Sequence, residues 1–134
     1  MKGYLLDTSI CVFLFRENMS VVKHLNEIGS EQCFICDVVL AELRYGAFKS
    51  DYVEDNLRMI DEFVKDVRVL PFADSIDTFA KEKVRLRNEG KPIEDFDLLI
   101  GCAAKAAGLK MVTNNVKHFS HIEGLEIEDW VQGL

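Results

Sequence analysis

Several features that would narrow a protein's role at once are missing here. No apolar run among the 134 residues approaches the length of a membrane span. The opening MKGYLLD carries one lysine and meets an acid too early to form the apolar stretch of a secretory signal, so a cytoplasmic protein is expected. There is no internal repeat, low-complexity tract or linker, and one domain spanning 1–134 is the expectation. Basic charge is also scarce. The chain has 16 Lys and Arg against 23 Asp and Glu, a formal net charge of -7. That balance counts against gripping a nucleic acid by bulk electrostatics. It is compatible with a local basic groove, with an acidic pocket loaded with cations, or with a basic protein partner.

Nitrogen and sulfur metal sites are poorly represented too. His24, His118 and His121 include no H-x-x-x-H and share no ligand spacing with an acid pair, which argues against a zinc hydrolase. CFIC at 33–36 has the C-x-x-C spacing, but a zinc site needs a second ligand pair and a redox motif needs a helix start. In a strand, residues three apart point to opposite faces. Cys11, Cys33, Cys36 and Cys102 are therefore read as small buried hydrophobes.

What is present is a globular composition, 49% hydrophobic and 29% charged. Short apolar runs alternate with amphipathic stretches, the pattern of an α/β domain with a largely parallel sheet. Strands are expected near 3–6, 33–36, 67–70, 111–113 and 125–127, and helices near 10–16, 20–28, 38–49, 52–64, 75–88 and 96–107. Ser20 and Asp37 are candidate N-caps; Gly29, Gly90 and Gly108 are candidate stops.

In an open parallel sheet the strand ends and the starts of the following helices meet at one edge, where ligands bind. Asp7 ends the first strand. Glu42 falls in the second turn of the helix after the second strand, Asp97 starts the helix leading into KMVT, and Asn114 and Asn115 follow that strand. The topology gathers all of these into one cleft. Each has a plainer alternative: Asp7 as a helix cap, a role Thr8 or Ser9 can also fill, and Asp95 and Asp97 as acids favoured at a helix N-terminus. Glu42 lies between Val38, Tyr45 and Gly46 at about 100° per residue, so it is expected to be buried and in need of a cation or a proton. Three acids in one cleft repel one another. A hard divalent cation, Mg²⁺ or Mn²⁺, relieves that repulsion best, because it prefers oxygen ligands.

The ordered set LLDTSICVFLF, ICDVVLAELRYGA and PIEDFDLLIGCAAKAAGLKMVTNNVKHFSHIEGLEIEDW resembles the PIN-domain ribonucleases, specifically the VapC-type toxins of toxin–antitoxin pairs, over essentially the whole chain. The resemblance implies a PIN-like three-layer α/β/α fold with a central, mostly parallel five-stranded sheet. It also implies an acidic pocket that binds Mg²⁺ or Mn²⁺ and hydrolyses phosphodiester bonds of RNA, often tRNA. Carried over, Asp7, Glu42 and Asp97 are the catalytic and metal-binding acids, supported by the hydroxyls of Thr8 and Ser9. Many members have a fourth acid where this chain has Asn115, which offers a neutral oxygen and adds no charge; Asp95 either compensates or serves the helix N-terminus. The resemblance further implies a homodimer and a small antitoxin that lays an apolar helix in a groove and presents an Arg or Lys to the acids. Phe13, Phe15, Leu43, Tyr45 and Phe48 are expected to supply that groove and the dimer surface. Among the basic residues considered for RNA (Arg44, Lys49, Lys81, Lys83, Arg85, Arg87, Lys91 and Lys117), Arg44 and Lys117 stand nearest the site segments. KEKVRLRNEGK otherwise reads as a solvated helix face.

Rival readings lack parts. A haloacid-dehalogenase-like phosphatase wants a second acid where Ser9 stands, and a receiver domain wants an acid pair after the first strand. A catalytically weak PIN-like module that only binds RNA or protein is the alternative that Asn115 keeps open.

Overall fold

The computed structural model describes residues 3–131. Its centre is a five-stranded sheet in the order β3-β2-β1-β4-β5, built from β1 (Tyr4–Leu6), β2 (Cys33–Cys36), β3 (Arg68–Leu70), β4 (Lys110–Val112) and β5 (Ile127–Glu128). All four pairings are parallel, with Leu5 opposite Phe34 on one side and Met111 on the other. β1 and β2 are apolar throughout, and β4 is apolar after Lys110, because a parallel sheet is covered on both faces. Leu5, Ile35, Cys36, Met111 and Val112 are fully buried, and all four cysteines are free thiols in this interior.

The helices are α1 (Thr8–Phe15), α2 (Met19–Ile28), α3 (Asp37–Phe48), α4 (Val53–Asp66), α5 (Ile76–Asn88), α6 (Asp95–Ala107) and α7 (Val116–Phe119), with 3₁₀ turns at Ser30–Gln32 and Phe72–Ser75. The chain steps β1, β2, β3 in one direction and then returns to β4 and β5 on the other side of β1. Right-handed crossovers then leave helices on both faces. The fold class is the α/β architecture expected, and among the described residues no helix is long and apolar enough to cross a membrane.

Local caps differ in two places from the sequence expectation. The cap of α2 is Asn18, whose side chain accepts from the Val21 N–H, whereas Ser20 lies inside the helix and donates to the Trp130 carbonyl. Asp37 is the first residue of α3 rather than its cap, and its carboxylate accepts the Phe72 N–H, tying the exit of β3 to the start of α3. Gly108 does end α6, in the left-handed conformation at φ 69° that favours glycine.

α6 packs tightly because it is made of small residues. A Cβ on Gly101 would collide with Ile122 and sit 3.1 Å from the Phe119 ring. The absence of that side chain lets the 116–122 segment close onto α6 and brings α7 alongside its N-terminal half.

Glu82 of α5 anchors the other side of α6. It is only 6% exposed, accepts from Arg85 at 2.8 and 3.0 Å, from Lys105 of α6 at 3.4 Å, and from the Glu123 N–H at 3.3 Å. Arg85 also reaches Glu89 and the His121 carbonyl, so this member of the basic stretch is engaged in the fold rather than held out to RNA. The Arg85 hydrogen bonds hold the Glu82 carboxyl below its ordinary value of 4.5, against the opposing push of burial. A lowered folded-state pKa gives stability that is present above the unfolded value and lost as pH falls through the folded one. Urea melts of Glu82→Gln are therefore expected to show a stability deficit at pH 7 that closes progressively below pH 4.5. A deficit independent of pH would contradict this assignment.

Candidate active site

The order of the sheet reverses between β1 and β4, and in α/β sheets such a reversal opens a crevice beyond the carboxyl ends of the strands. Asp7 follows β1 there and Thr113 follows β4. The Asp7 N–H donates to the Val112 carbonyl at 3.1 Å, and the Thr113 hydroxyl donates to Asp7 Oδ2 at 2.5 Å. Oδ1 of Asp7 accepts from the Ser9 hydroxyl at 2.7 Å and from the Ile10 N–H at 2.9 Å. Asp7 is thus the N-cap of α1 and also a side chain fixed by three donors, which is why α1 begins at Thr8, directly after the strand.

Glu42 reaches the same crevice from α3, where Glu42 Oε1 accepts the Thr8 hydroxyl at 2.5 Å. It is half-buried rather than buried. Its helix face, with Tyr45 and Gly46, borders an open groove instead of packing into the core. Asp97, in the first turn of α6, is also half-buried, and its Oδ2 lies 3.7 Å from His118 Nδ1. Asn115 holds its backbone N–H on Thr113 Oγ1 at 2.9 Å and its amide nitrogen 2.9 Å from the same His118 ring nitrogen. His118 is thus a neighbour that sequence spacing did not suggest. The only signal for it was its place three residues after Asn115, and the four-residue α7 that aims it was not expected.

The remaining candidates lie around this centre. Asp95 is exposed and pairs with Lys83 at 2.9 Å. Arg44 pairs with Asp61 of α4 at 3.1 Å and lies over the Phe48 ring, outside the lining of the groove that Glu42 borders. Lys117 is exposed on α7. Of the residues expected to supply a groove and dimer surface, Leu43 is buried on the core side of α3 but still lines the groove, Tyr45 and Phe48 are exposed, and Phe13 and Phe15 are half-buried.

Electrostatically the crevice is an anionic oxygen site. Burial pushes the Asp7 carboxyl above its ordinary range and the charge of Asp97 adds to that push, while the Thr113, Ile10 and Ser9 hydrogen bonds oppose it. No Lys or Arg ion pair among the described residues involves Asp7, Glu42 or Asp97. Carboxylate oxygens with hydroxyls beside them match the donor preference of a hard divalent cation. Among the described residues, however, no three acidic, histidine or cysteine side chains already stand converged as a ligand set. Each acid is turned to a neighbour instead: Asp7 to Thr113, Glu42 to Thr8 and Asp97 towards His118. A groove of about 1030 Å³ runs from Glu42 and Thr8 between α1, α3 and α4, with Val12, Phe15 and Ile60 in its wall.

A strand-end aspartate at a topological switch point, with two further carboxylates on separate helices, is the arrangement expected of a PIN-type nuclease. The PIN domain family model matches residues 4–125, and the chain belongs to that family, among its VapC ribonucleases. It is 35% identical to the tRNA(fMet)-specific endonuclease VapC of Shigella flexneri, over 97% of this chain and 99% of that one. It is 32% identical to ribonuclease VapC2 of Haemophilus influenzae, over 98% and 100%. The crystal structure of DNA-bound VapBC from Salmonella typhimurium superposes with a TM-score of 0.91 at 32% identity, covering 97% of this chain and 99% of that chain.

Proposed function

We propose that this chain is an endoribonuclease toxin whose Asp7, Glu42 and Asp97 hold Mg²⁺ or Mn²⁺ and hydrolyse RNA, and that a cognate antitoxin neutralises it. The observation that supports the reading is that Asp7, Glu42 and Asp97 come from separate elements to the carboxyl edge of the sheet, each beside a side chain of a neighbouring segment and, among the described residues, none in an ion pair with Lys or Arg. When bound, the divalent ion supplies positive charge against the phosphate and acidifies the attacking water.

The chain's own groups do the rest. Asp7 is fixed by Thr113, Ser9 and the start of α1, so it gives the site a rigid reference point. Glu42, half-buried and hydrogen-bonded to the Thr8 hydroxyl, orients the attacking water and accepts its proton. Asp97 sits at the N-terminus of a buried helix, which holds it in place from below. Asn115 contributes a neutral amide where a fourth acid would add charge.

The tRNA(fMet)-specific activity of the Shigella flexneri relative points to tRNA as the substrate class. Solved VapBC complexes support an antitoxin partner, and the apolar groove ending at Glu42 and Glu94 suits an amphipathic helix with a basic tip. The exposed Tyr45, Phe48 and Tyr52 suit a homodimer surface, and we place the protein in the cytoplasm.

Incubation of purified protein with a single-stranded oligoribonucleotide tests the reading. Cleavage is expected with Mn²⁺ or Mg²⁺, to stop in EDTA, and to leave 5′-phosphate and 3′-hydroxyl ends. Metal-independent cleavage leaving 2′,3′-cyclic phosphates would contradict it.

A further inference from the structure

An acidic nuclease must bind a polyanion without much help from its own charge. The net charge is -7, and the rim of the site adds Glu42, Glu94, Asp95 and Asp97. Several nearby cations are already engaged: Arg44 by Asp61, Lys83 by Asp95 and Arg85 by Glu82. Arg16 and Lys49 are the cations in the groove lining, and Lys49 lies 5.0 Å over the Tyr45 ring. With so few cations against these acids, Lys117 on α7 included, an uncharged contribution to RNA affinity is favoured beside phosphate contact.

Phe96 has the chemistry for it. It stands between Asp95 and Asp97 in the first turn of α6, is 49% exposed, and lines the groove beside Thr8, Glu42 and Glu94. Single exposed apolar residues are common and mean little. This one adjoins a catalytic carboxylate, on a helix whose next turns are buried, so its position relative to the acids is fixed. Aromatic faces bind unpaired bases by stacking, tolerate any base, and do not depend on net charge.

We propose that Phe96 is the platform on which an unpaired base of the RNA substrate stacks, beside the bond to be cut. The inference rests on the ribonuclease reading above. It makes the enzyme select single-stranded or splayed-out nucleotides, because a base held in a duplex cannot present its face to the ring.

The test compares the full-length parent, Phe96→Ala and Phe96→Trp on a fluorogenic single-stranded oligoribonucleotide of mixed sequence. The rise in melting temperature caused by Mn²⁺ and the elution volume on size exclusion are measured alongside. Phe96→Ala is expected to raise KM by on the order of tenfold, with Phe96→Trp restoring it and with the Mn²⁺ effect and elution volume unchanged. A KM for Phe96→Ala equal to the parent's overturns the proposal and leaves the nuclease reading standing. Loss of the Mn²⁺ effect in Phe96→Ala also overturns it, since the ring would then act through Asp97. A changed elution volume with unchanged KM assigns the ring to a protein contact instead. A parent that cuts no RNA removes the nuclease reading, and the proposal with it.

Discussion

Asp97→Asn is expected to lower the rate of metal-dependent RNA cleavage by roughly 10²- to 10⁴-fold, the range that one positioned charge-stabilising or proton-handling group supplies. The fold should tolerate the change. Asp97 is half-buried, the His118 ring lies 3.7 Å from its carboxylate, and asparagine keeps its shape. What is lost for stability is one negative charge at the N-terminus of α6, about 0.3–1 kcal/mol. Far-UV circular dichroism and a melt within a few degrees of the parent would separate lost chemistry from lost structure. A variant that cleaves at the parent rate would remove Asp97 from the site.

Trp130→Ala is expected to have the largest effect on stability, a loss of about 3–5 kcal/mol, typical of truncating a large buried aromatic. Trp130 is 0% exposed. Its indole N–H donates to Glu128 at 3.0 Å, its ring stacks on His24 at 5.4 Å and packs against Tyr4 at 5.7 Å, and its carbonyl accepts the Ser20 hydroxyl. One side chain thus joins the short edge strand β5 to β1 and to α2. Domains of this size are stable by only about 5–15 kcal/mol, so the variant should be partly unfolded at physiological temperature. Urea melts of the parent, Trp130→Phe and Trp130→Ala should rank in that order. A loss below about 1 kcal/mol for alanine would show that this corner is not held as described.

The sheet was legible because its central strands β1, β2 and β4 are buried on both faces and read as short apolar runs. The site edge was legible for a related reason: once the strands are parallel, Asp7, the start of α3, the start of α6 and the residues after β4 must share it. Side-chain pairings between elements were less visible. Glu42 was expected to be buried from helical spacing alone, but spacing does not reveal that the neighbouring face borders an open groove. Arg44 and Asp61 lie seventeen residues apart and meet only because α3 packs on α4. The bond between Thr113 and Asp7 spans 106 residues and exists only once β4 lies beside β1. Asn18 and Ser20 are both good caps, and the choice between them follows from Ser20 being drawn to the Trp130 carbonyl.

The acids at the reversal of the sheet are taken to bind a divalent ion, although among the described residues no three of them stand converged beforehand. Titrating Mn²⁺ into the protein and following the free ion by electron paramagnetic resonance tests this most directly. The parent should remove Mn²⁺ from solution stoichiometrically, and Asp7→Asn and Glu42→Gln, folded by circular dichroism, should remove far less. Equal uptake by parent and variants would place the metal elsewhere.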